Sequence, residues 1–202
     1  MKIHVIRHGE TDWNKTGQWQ GQKDIPLNAT GEKQAALLAS YLARYNIKKI
    51  YTSPLVRAHK TADIVASATK AKVTARTGLA ELNFGKWESL TTDQIKSDYS
   101  ELFALWEEDP NIDLTHSIGI ESRSALRKRT LEEFETLRTL EKEDFAVVSH
   151  GAWIRALVCT ILEIPNNKRL LFNVNNTSVT TIKYTKSGNY KIMTLNNTSH
   201  LR

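Results

Sequence analysis

The sequence is poor in several features that mark specialised classes of protein. It has 202 residues and a single cysteine, Cys159, which excludes an internal disulfide. Cys159 lies in an apolar run of helical character, so we predict a buried, inert side chain rather than a nucleophile. No apolar run reaches membrane-spanning length, and the run after Met1 is too short for a signal peptide. These absences predict a cytoplasmic protein.

Blocks of consecutive basic residues are also missing, although the overall charge is positive. Lysine and arginine number 28 against 22 aspartates and glutamates, a formal net charge of +6. Such a surplus suits an anionic partner, whether a phosphorylated metabolite, a nucleic acid or a membrane surface. The lack of a basic block argues against a nucleic-acid-binding arm. We therefore expect a small-molecule substrate and neither a nucleic acid nor a membrane as partner. The oligomeric state stays open, a homodimer included.

Two apolar, β-branched runs that end in His-Gly are the most informative segments. The first ends at Arg7 and His8, and the second ends at His150 and Gly151. Valine and isoleucine favour strands, and in α/β sheets ligands bind outside the carboxyl ends of the strands. Two strand ends of this kind, with arginines nearby, predict a pocket for an anion.

The remaining chain alternates predicted helices and strands without repeats or linkers, which predicts a single domain over residues 1–202. Residues 10–26 show no periodicity and are predicted to form a loop that packs down. Residues 178–185 and 190–195 alternate about a Gly-containing turn and predict a hairpin. Helix starts are predicted at Asn28, Ser53-Pro54, Thr91, Ser122 and Ala152, and further strands over residues 48–52 and 73–76.

Three more charged residues occupy unusual positions. Arg57 falls in the first turn of a predicted helix, where a cation opposes the helix dipole unless an anion is nearby. Glu81 and Glu88 share one loop with large apolar residues. Burial favours the protonated form of a carboxyl group, which is the form that a general acid needs. Either glutamate could be the buried one.

Six motifs then follow one another along nearly the whole chain: Arg7-His8-Gly9-Glu10-Thr11, Gln20-Gly21, the segment from Tyr51 to Ala58, the loop from Glu81 to Glu88, Gly119-Ile120-Glu121-Ser122 and Val148-Ser149-His150-Gly151. In this order they resemble the histidine phosphatase superfamily, which contains cofactor-dependent phosphoglycerate mutases and many small-molecule phosphomonoesterases. A lone Arg-His-Gly would be a weak signal, whereas the ordered set is specific.

The resemblance implies a three-layer α/β/α sandwich with a mostly parallel central sheet and an antiparallel C-terminal hairpin. It also implies a metal-independent phosphatase that needs no cofactor and forms a phosphohistidine on His8, with Glu81 as general acid and base. Arg7, Arg57 and His150 would bind the phosphoryl group. The two arginines should also lower the pKa of His8 by like-charge repulsion.

Substrate contacts are implied as well, at Asn14, Gln20, Gly21 and Gly151. The helix after Gly151 would direct backbone N–H groups at the phosphate. For Asn14 and Gln20, bracing of the long loop is an equally good interpretation. The chain departs from the family pattern at Gln18, where an arginine is common, and at Ser89, where a glycine is common. Both departures bear on the leaving-group pocket.

A phosphatase is favoured over two alternatives. Phosphoglycerate mutases of this family carry long insertions after the acid loop, and between Trp87 and His116 only Lys96 could help to retain a bisphosphate. The intact set of motif residues argues against a non-catalytic phospholigand-binding regulator. The sequence does not identify the substrate; phosphosugars, phosphoglycerates and a phosphorylated intermediate of cobalamin synthesis are candidates.

Overall fold

The computed structural model describes residues 1–109 and 111–202, residue 167 by its backbone alone. Within these residues six strands form one sheet: β1 (Lys2–Arg7), β2 (Lys49–Thr52), β3 (Lys72–Ala75), β4 (Phe145–Ser149), β5 (Val179–Tyr184) and β6 (Tyr190–Asn197). Their order in the sheet is β3-β2-β4-β1-β5-β6. Strands β1 to β4 are parallel, whereas β5 is antiparallel to β1 and β6 to β5, as predicted.

Helices cover both faces of the sheet, which confirms the expected α/β/α layering. The helices are α1 (Asp12–Thr16), α2 (Ala29–Leu42), α3 (Val56–Thr69), α4 (Thr92–Asp98), α5 (Ser100–Glu108), α6 (Thr115–Ile118), α7 (Arg123–Leu140) and α8 (Gly151–Ile161). Because side chains alternate along a strand, Ile3 and Val5 of β1 pack with α7 and α8, while Ile6 packs with α2 and α3. No helix of residues 1–109 and 111–202 is both long and apolar enough to cross a membrane.

A third apolar cluster, rich in tryptophan, joins α4, α5 and α6 to the loops beside the sheet. Trp87 is fully buried in it, and Trp106 of α5 is 7% exposed. The ring of Trp19 contacts both, with ring centroids 5.9 and 5.5 Å away. Trp106 therefore faces the interior, whereas its neighbour Leu105 is 48% exposed.

Two local predictions fail because side-chain capping outweighs the simple patterns. The segment predicted as a loop contains α1, which starts with a capping box: the Thr11 hydroxyl accepts the Asn14 N–H, and Asn14 in turn accepts the Thr11 N–H. Helix α3 begins at Val56 rather than at Ser53-Pro54. Its first N–H donates to Asp24 Oδ1 at 2.6 Å, a carboxylate far away in the sequence.

The backbone after β1 packs directly on α2, and two glycines make this possible. A Cβ atom on Gly9 would lie 2.6 Å from the carbonyl oxygen of Gly31, and one on Gly31 would collide with the carbonyl oxygen of Glu10. Asn28 caps α2 through Gly31 N–H, as predicted. This close approach holds the chain immediately after His8 against the rest of the protein.

Candidate active site

The two His-Gly segments lie side by side. Strands β1 and β4 are parallel neighbours with Arg7 paired to Ser149, so His8 and His150 leave the sheet at the same edge. Their ring centroids are 5.1 Å apart, and the residues are 3% and 0% exposed. Both imidazoles can therefore contact a single phosphoryl group, which is the arrangement that the sequence predicts.

One hydrogen bond sets the tautomer of His8. Its Nδ1 donates to the Gly9 carbonyl oxygen at 2.7 Å, because a carbonyl can only accept. The neutral ring then carries a lone pair on Nε2. Burial, followed by the charges of Arg57 and Arg7, holds the pKa of His8 well below its ordinary value. The predicted like-charge effect is present but is smaller than the effect of burial. The result is a neutral imidazole with a free nucleophilic nitrogen.

Main-chain carbonyls orient the two arginines beside it. Arg7 Nη1 donates to Val174 O at 2.6 Å, and Arg57 donates from Nη1 to Lys23 O and from Nη2 to Gly21 O, both at 2.7 Å. Burial lowers the pKa of each guanidinium to about 10, so both stay charged at neutral pH. Each Nε is buried and finds no partner in the described chain.

Other buried polar atoms at this point also lack partners. Both ring nitrogens of His150 and the side-chain oxygen of Gln20 make no hydrogen bond within the described residues. Burial, followed by the charge of Arg57, holds the pKa of His150 well below its ordinary value. Buried polar groups in folded proteins are usually hydrogen-bonded. Gln20 lines the cavity together with Arg7 and Arg57, and the His150 ring lies beside that of His8. Unsatisfied groups at and next to one cavity therefore indicate a polar ligand.

The structure separates the two candidate glutamates. Glu81 lines the cavity, and its carboxylate accepts N–H groups from Leu82 at 2.9 Å, Ala152 at 3.1 Å and Trp153 at 3.2 Å. Glu88 points away and braces the loops instead, accepting the N–H groups of Gln22 and Phe84. Only Glu81 is thus placed to exchange a proton with a ligand.

The prediction for the helix after Gly151 needs a correction. Two of the first three amides of α8, those of Ala152 and Trp153, donate to Glu81 and are not directed at a phosphate. The Gly151 amide alone among these three has no partner in the described chain. The positive N-terminal end of α8 therefore stabilises the Glu81 carboxylate, which occupies two of its N–H groups.

The predicted substrate contacts divide between bracing and exposure to the cavity. Asn14 does both: its Oδ1 accepts from Thr11 and from Asn176, while its Nδ2 is free within the described residues and the side chain lines the cavity. Gln20 and Gly21 also line the cavity. Gly21 has φ +52°, and a Cβ there would collide with the Glu88 carboxylate, so a side chain is excluded.

Residues 174–177, which the sequence analysis did not single out, form hydrogen bonds with Arg7 and His8 at the end of β1. Asn176 Nδ2 donates to His8 O at 3.0 Å, and the Thr177 amide donates to Arg7 O at 3.0 Å. With the Val174 contact to Arg7, this segment orients both residues of the first motif. Pairing of main chain with a distant loop leaves no pattern in a single sequence.

The two departures from the family pattern contact each other. Gln18 Nε2 donates to Ser89 O at 2.9 Å, and Ser89 has φ +78°, in the left-handed region that favours glycine. The glutamine thus holds a loop next to the cavity in a backbone conformation that a serine rarely adopts.

The cavity extends well beyond Arg7, His8 and Arg57 and has a volume of about 470 Å³. Aromatic side chains and four arginines that the sequence analysis did not single out line its outer half: Arg123, Arg127, Arg155 and Arg169. The sequence analysis considered basic residues only between Trp87 and His116, whereas the basic residues of this half come from α7, α8 and the chain after α8. Cys159 also lines this half; it is 1% exposed, and burial raises the pKa of its thiol. No group of three metal-ligating side chains occurs in residues 1–109 and 111–202.

Comparison with known proteins agrees with this geometry. The family model described as histidine phosphatase superfamily (branch 1) matches residues 3–198. Phosphoserine phosphatase 1 of Hydrogenobacter thermophilus is 33% identical over 205 residues, 100% of this chain and 94% of the relative. A probable phosphoglycerate mutase GpmB of Serratia proteamaculans is 32% identical, covering 93% and 86%. The crystal structure of Entamoeba histolytica phosphoserine phosphatase with 3-phosphoglyceric acid superposes with a TM-score of 0.87, at 33% identity over 100% of this chain and 99% of that one.

Proposed function

Because this chain belongs to branch 1 of the histidine phosphatase superfamily and is a phosphatase, we propose that it hydrolyses small phosphomonoesters through a phosphohistidine on His8. One observation carries the proposal. The neutral His8 ring, with its free Nε2, sits among buried donors that have no partner in the described chain. That set suits a phosphoryl group, which needs a nucleophile on one side and positive donors around its oxygens.

In the first step His8 Nε2 attacks phosphorus in line with the leaving oxygen. A P–N bond forms as the P–O ester bond breaks, and the negative charge of the transferring group is spread over its equatorial oxygens. Arg7 and Arg57 meet these oxygens with planar N–H groups already oriented by main-chain carbonyls, so little reorganisation is needed. His150, and the free amide of Gly151, add neutral donors.

Glu81 transfers protons in both steps. It protonates the leaving alkoxide as the ester bond breaks, and the three N–H groups around it stabilise the carboxylate that remains. Water then attacks the phosphohistidine, the P–N bond breaks, and Glu81 accepts the proton of that water. Asn14, Gln20 and Gly21 complete the substrate contacts around the same cavity.

The cytoplasmic location and the single domain over residues 1–202 stay predictions.

Trapping the intermediate tests this function. Purified protein should release phosphate from p-nitrophenyl phosphate, and rapid acid-free quenching with a radiolabelled substrate should yield an acid-labile, base-stable phosphoprotein labelled at His8. His8→Ala should lower kcat by about 10⁴-fold or more, because the nucleophile is lost. His59→Ala removes an exposed histidine that is paired with Asp63 and serves as the control.

A phosphoserine and phosphoglycerate panel separates the remaining alternatives. Phosphate release without interconversion of phosphoglycerates supports a phosphatase, whereas efficient interconversion would make the protein a mutase. Undiminished hydrolysis by His8→Ala would show that another group is the nucleophile, and no hydrolysis by the native protein would favour a phospholigand-binding regulator.

A further inference from the structure

The outer half of the cavity carries more positive charge than a phosphoryl group can neutralise. Six arginines and two glutamates line the whole cavity, which leaves four positive charges in excess while the histidines are neutral. A bound phosphoryl dianion offsets two of them. Charges in a cleft with low-dielectric walls interact strongly, so the remainder favours a ligand with further negative charge.

Arg155 is the arginine without an assigned partner. Its guanidinium makes no hydrogen bond or ion pair within the described residues, and its Nε is buried. Its Nη1 lies 3.5 Å from the position that a Cβ on Gly151 would occupy, and Arg7 Nε lies 3.7 Å from the same point. Both guanidinium groups therefore lie near Gly151, at the boundary between the two halves. Burial lowers the pKa of Arg155; the charge of Glu81 opposes this effect, and the charge of Arg169 adds to it.

Two of the other outer arginines already have structural partners. Arg123 donates to the main-chain oxygens of Trp106 and of Asp109, and its guanidinium stacks 3.9 Å from the Trp106 ring centroid. Arg169 is ion-paired with Glu107 at 2.9 Å. Arg169 therefore needs no ligand, and in Arg123 only the buried Nε is left without a partner in the described residues.

Arg127 is intermediate between these two classes. Its Nε donates to Thr160 Oγ1 and its Nη1 to Ile164 O, both at 3.1 Å, which fixes the plane of the guanidinium. Its Nη2 donates to nothing in the described chain, and the side chain lines the cavity. A fixed plane with one free N–H pair is suited to an oxyanion.

We propose that Arg155, assisted by Arg127, binds a second oxyanion on the alcohol portion of the substrate, so that the preferred substrates are phosphomonoesters carrying a carboxylate or a second phosphate. The proposal rests on the proposed function and narrows its substrate class. Guanidinium groups bind both kinds of oxyanion through paired N–H donors. Leu82, Phe84 and Ala156 give the same half an apolar wall for the carbon skeleton between the two anions.

A matched pair of substrates tests the second oxyanion site. 3-Phosphoglycerate and glycerol 3-phosphate have the same three-carbon skeleton but differ in one carboxylate. We expect kcat/KM to be about 10- to 100-fold higher for 3-phosphoglycerate, the range of a charge-assisted hydrogen bond. In Arg155→Gln this ratio should fall to within about 3-fold of unity, and Arg155→Lys should recover part of it because the charge remains. Arg76→Gln, at an arginine paired with Glu133 away from the cavity, is the control.

A bisphosphate of propane-1,3-diol distinguishes the two chemistries. Preference for it over 3-phosphoglycerate assigns the second group as phosphate, the reverse order assigns it as carboxylate, and both support the site. Equal kcat/KM for all three substrates, or a preference that Arg155→Gln and Arg127→Gln leave intact, overturns it.

A binding measurement separates this proposal from the proposed function. Calorimetry with the His8→Ala protein should show tighter binding of 3-phosphoglycerate than of glycerol 3-phosphate, and the double variant His8→Ala/Arg155→Gln should lose the difference. If the native protein hydrolyses nothing but this difference is found, the phosphatase mechanism is wrong and the oxyanion site stands. If hydrolysis proceeds and the difference is absent, the reverse holds. Circular dichroism confirms that each variant is folded.

Discussion

The two halves of the cavity are built in different ways. The inner half of the cavity is the part around the proposed phosphoryl site. Its residues His8 and Arg57, and the adjacent His150, are at most 3% exposed and lie at strand ends or in the first turn of a helix. His8 and Arg57 pair with main-chain oxygens, such as those of Gly9 and Gly21, and the His150 ring has no hydrogen-bond partner in the described residues. In the outer half, the arginines come from α7, α8 and the chain after α8. Arg127, Arg155 and Arg169 are partly exposed, and Arg127 and Arg169 pair with other side chains, whereas Arg123 is buried and donates to main-chain oxygens.

This difference indicates which half can change without loss of the chemistry. Main-chain partners persist when side chains are substituted, so the inner half depends on the course of the backbone and little on neighbouring side chains. Contacts between side chains on separate helices are lost with a single substitution. We therefore expect substitutions in the inner half to lower catalysis for every substrate, and substitutions in the outer half to alter the choice among substrates.

Glu81 lies at the boundary and should give the largest of the remaining effects. Glu81→Gln should lower kcat for alkyl phosphates by about 10²- to 10³-fold, because the leaving alkoxide is no longer protonated. The loss should be much smaller for p-nitrophenyl phosphate, whose leaving group is stable as an anion. Steady-state kinetics on both substrates measures this. Glu88→Gln is the matched control; an equal dependence on the leaving group in that variant would mean that the glutamates are wrongly assigned.

The buried histidines of the inner half should make stability depend on pH. His8 and His150 have folded-state pKa values well below the ordinary 6.5, so between those values and pH 6.5 the unfolded chain binds more protons than the folded one. The free energy of unfolding should therefore fall as pH drops below about 6.5, by about 1.4 kcal/mol per pH unit for each histidine. His4, also buried with a lowered pKa, adds in the same direction.

Urea unfolding at several values between about pH 7 and pH 5 measures this slope. His8→Asn and His150→Asn should each flatten it, whereas His59→Asn, at an exposed histidine, serves as the comparison. A slope that neither active-site variant changes would mean that other groups cause the pH dependence.

Arg169 should give the smallest effect and so tests the ranking within the outer half. Because it is already paired with Glu107, Arg169→Gln should change kcat/KM by less than about 5-fold, the range of a partly exposed ion pair. The same assays with 3-phosphoglycerate and glycerol 3-phosphate apply. A loss of discrimination larger than that of Arg155→Gln would move the second oxyanion site to Arg169.

Much of the fold was predictable because its signals are local. Ser122 caps α7, the His-Gly strands occupy the predicted positions, and the hairpin forms across its predicted turn. The start of α3 was not predictable, since its first amide is capped by Asp24 across a tertiary contact. The motifs predicted that His8 and His150 lie together and, through the family resemblance, favoured Glu81 over Glu88. The α8 amides that donate to Glu81 give the physical difference between the two glutamates.

The alternation of apolar residues was enough to predict the hairpin. The ordered motifs, through the family they resemble, were enough to predict the layered sheet and the candidate site residues, because each motif is a short run of neighbours in the chain. Tertiary structure alone decided which of the four outer arginines has no hydrogen-bond or ion-pair partner within the described residues. Arg123, Arg127, Arg155 and Arg169 are equivalent as letters, and they differ only in the carbonyls, hydroxyls and carboxylates that packing places beside them. A hydrogen bond forms within about 3 Å, and the folded chain sets that distance between residues that lie far apart in the sequence.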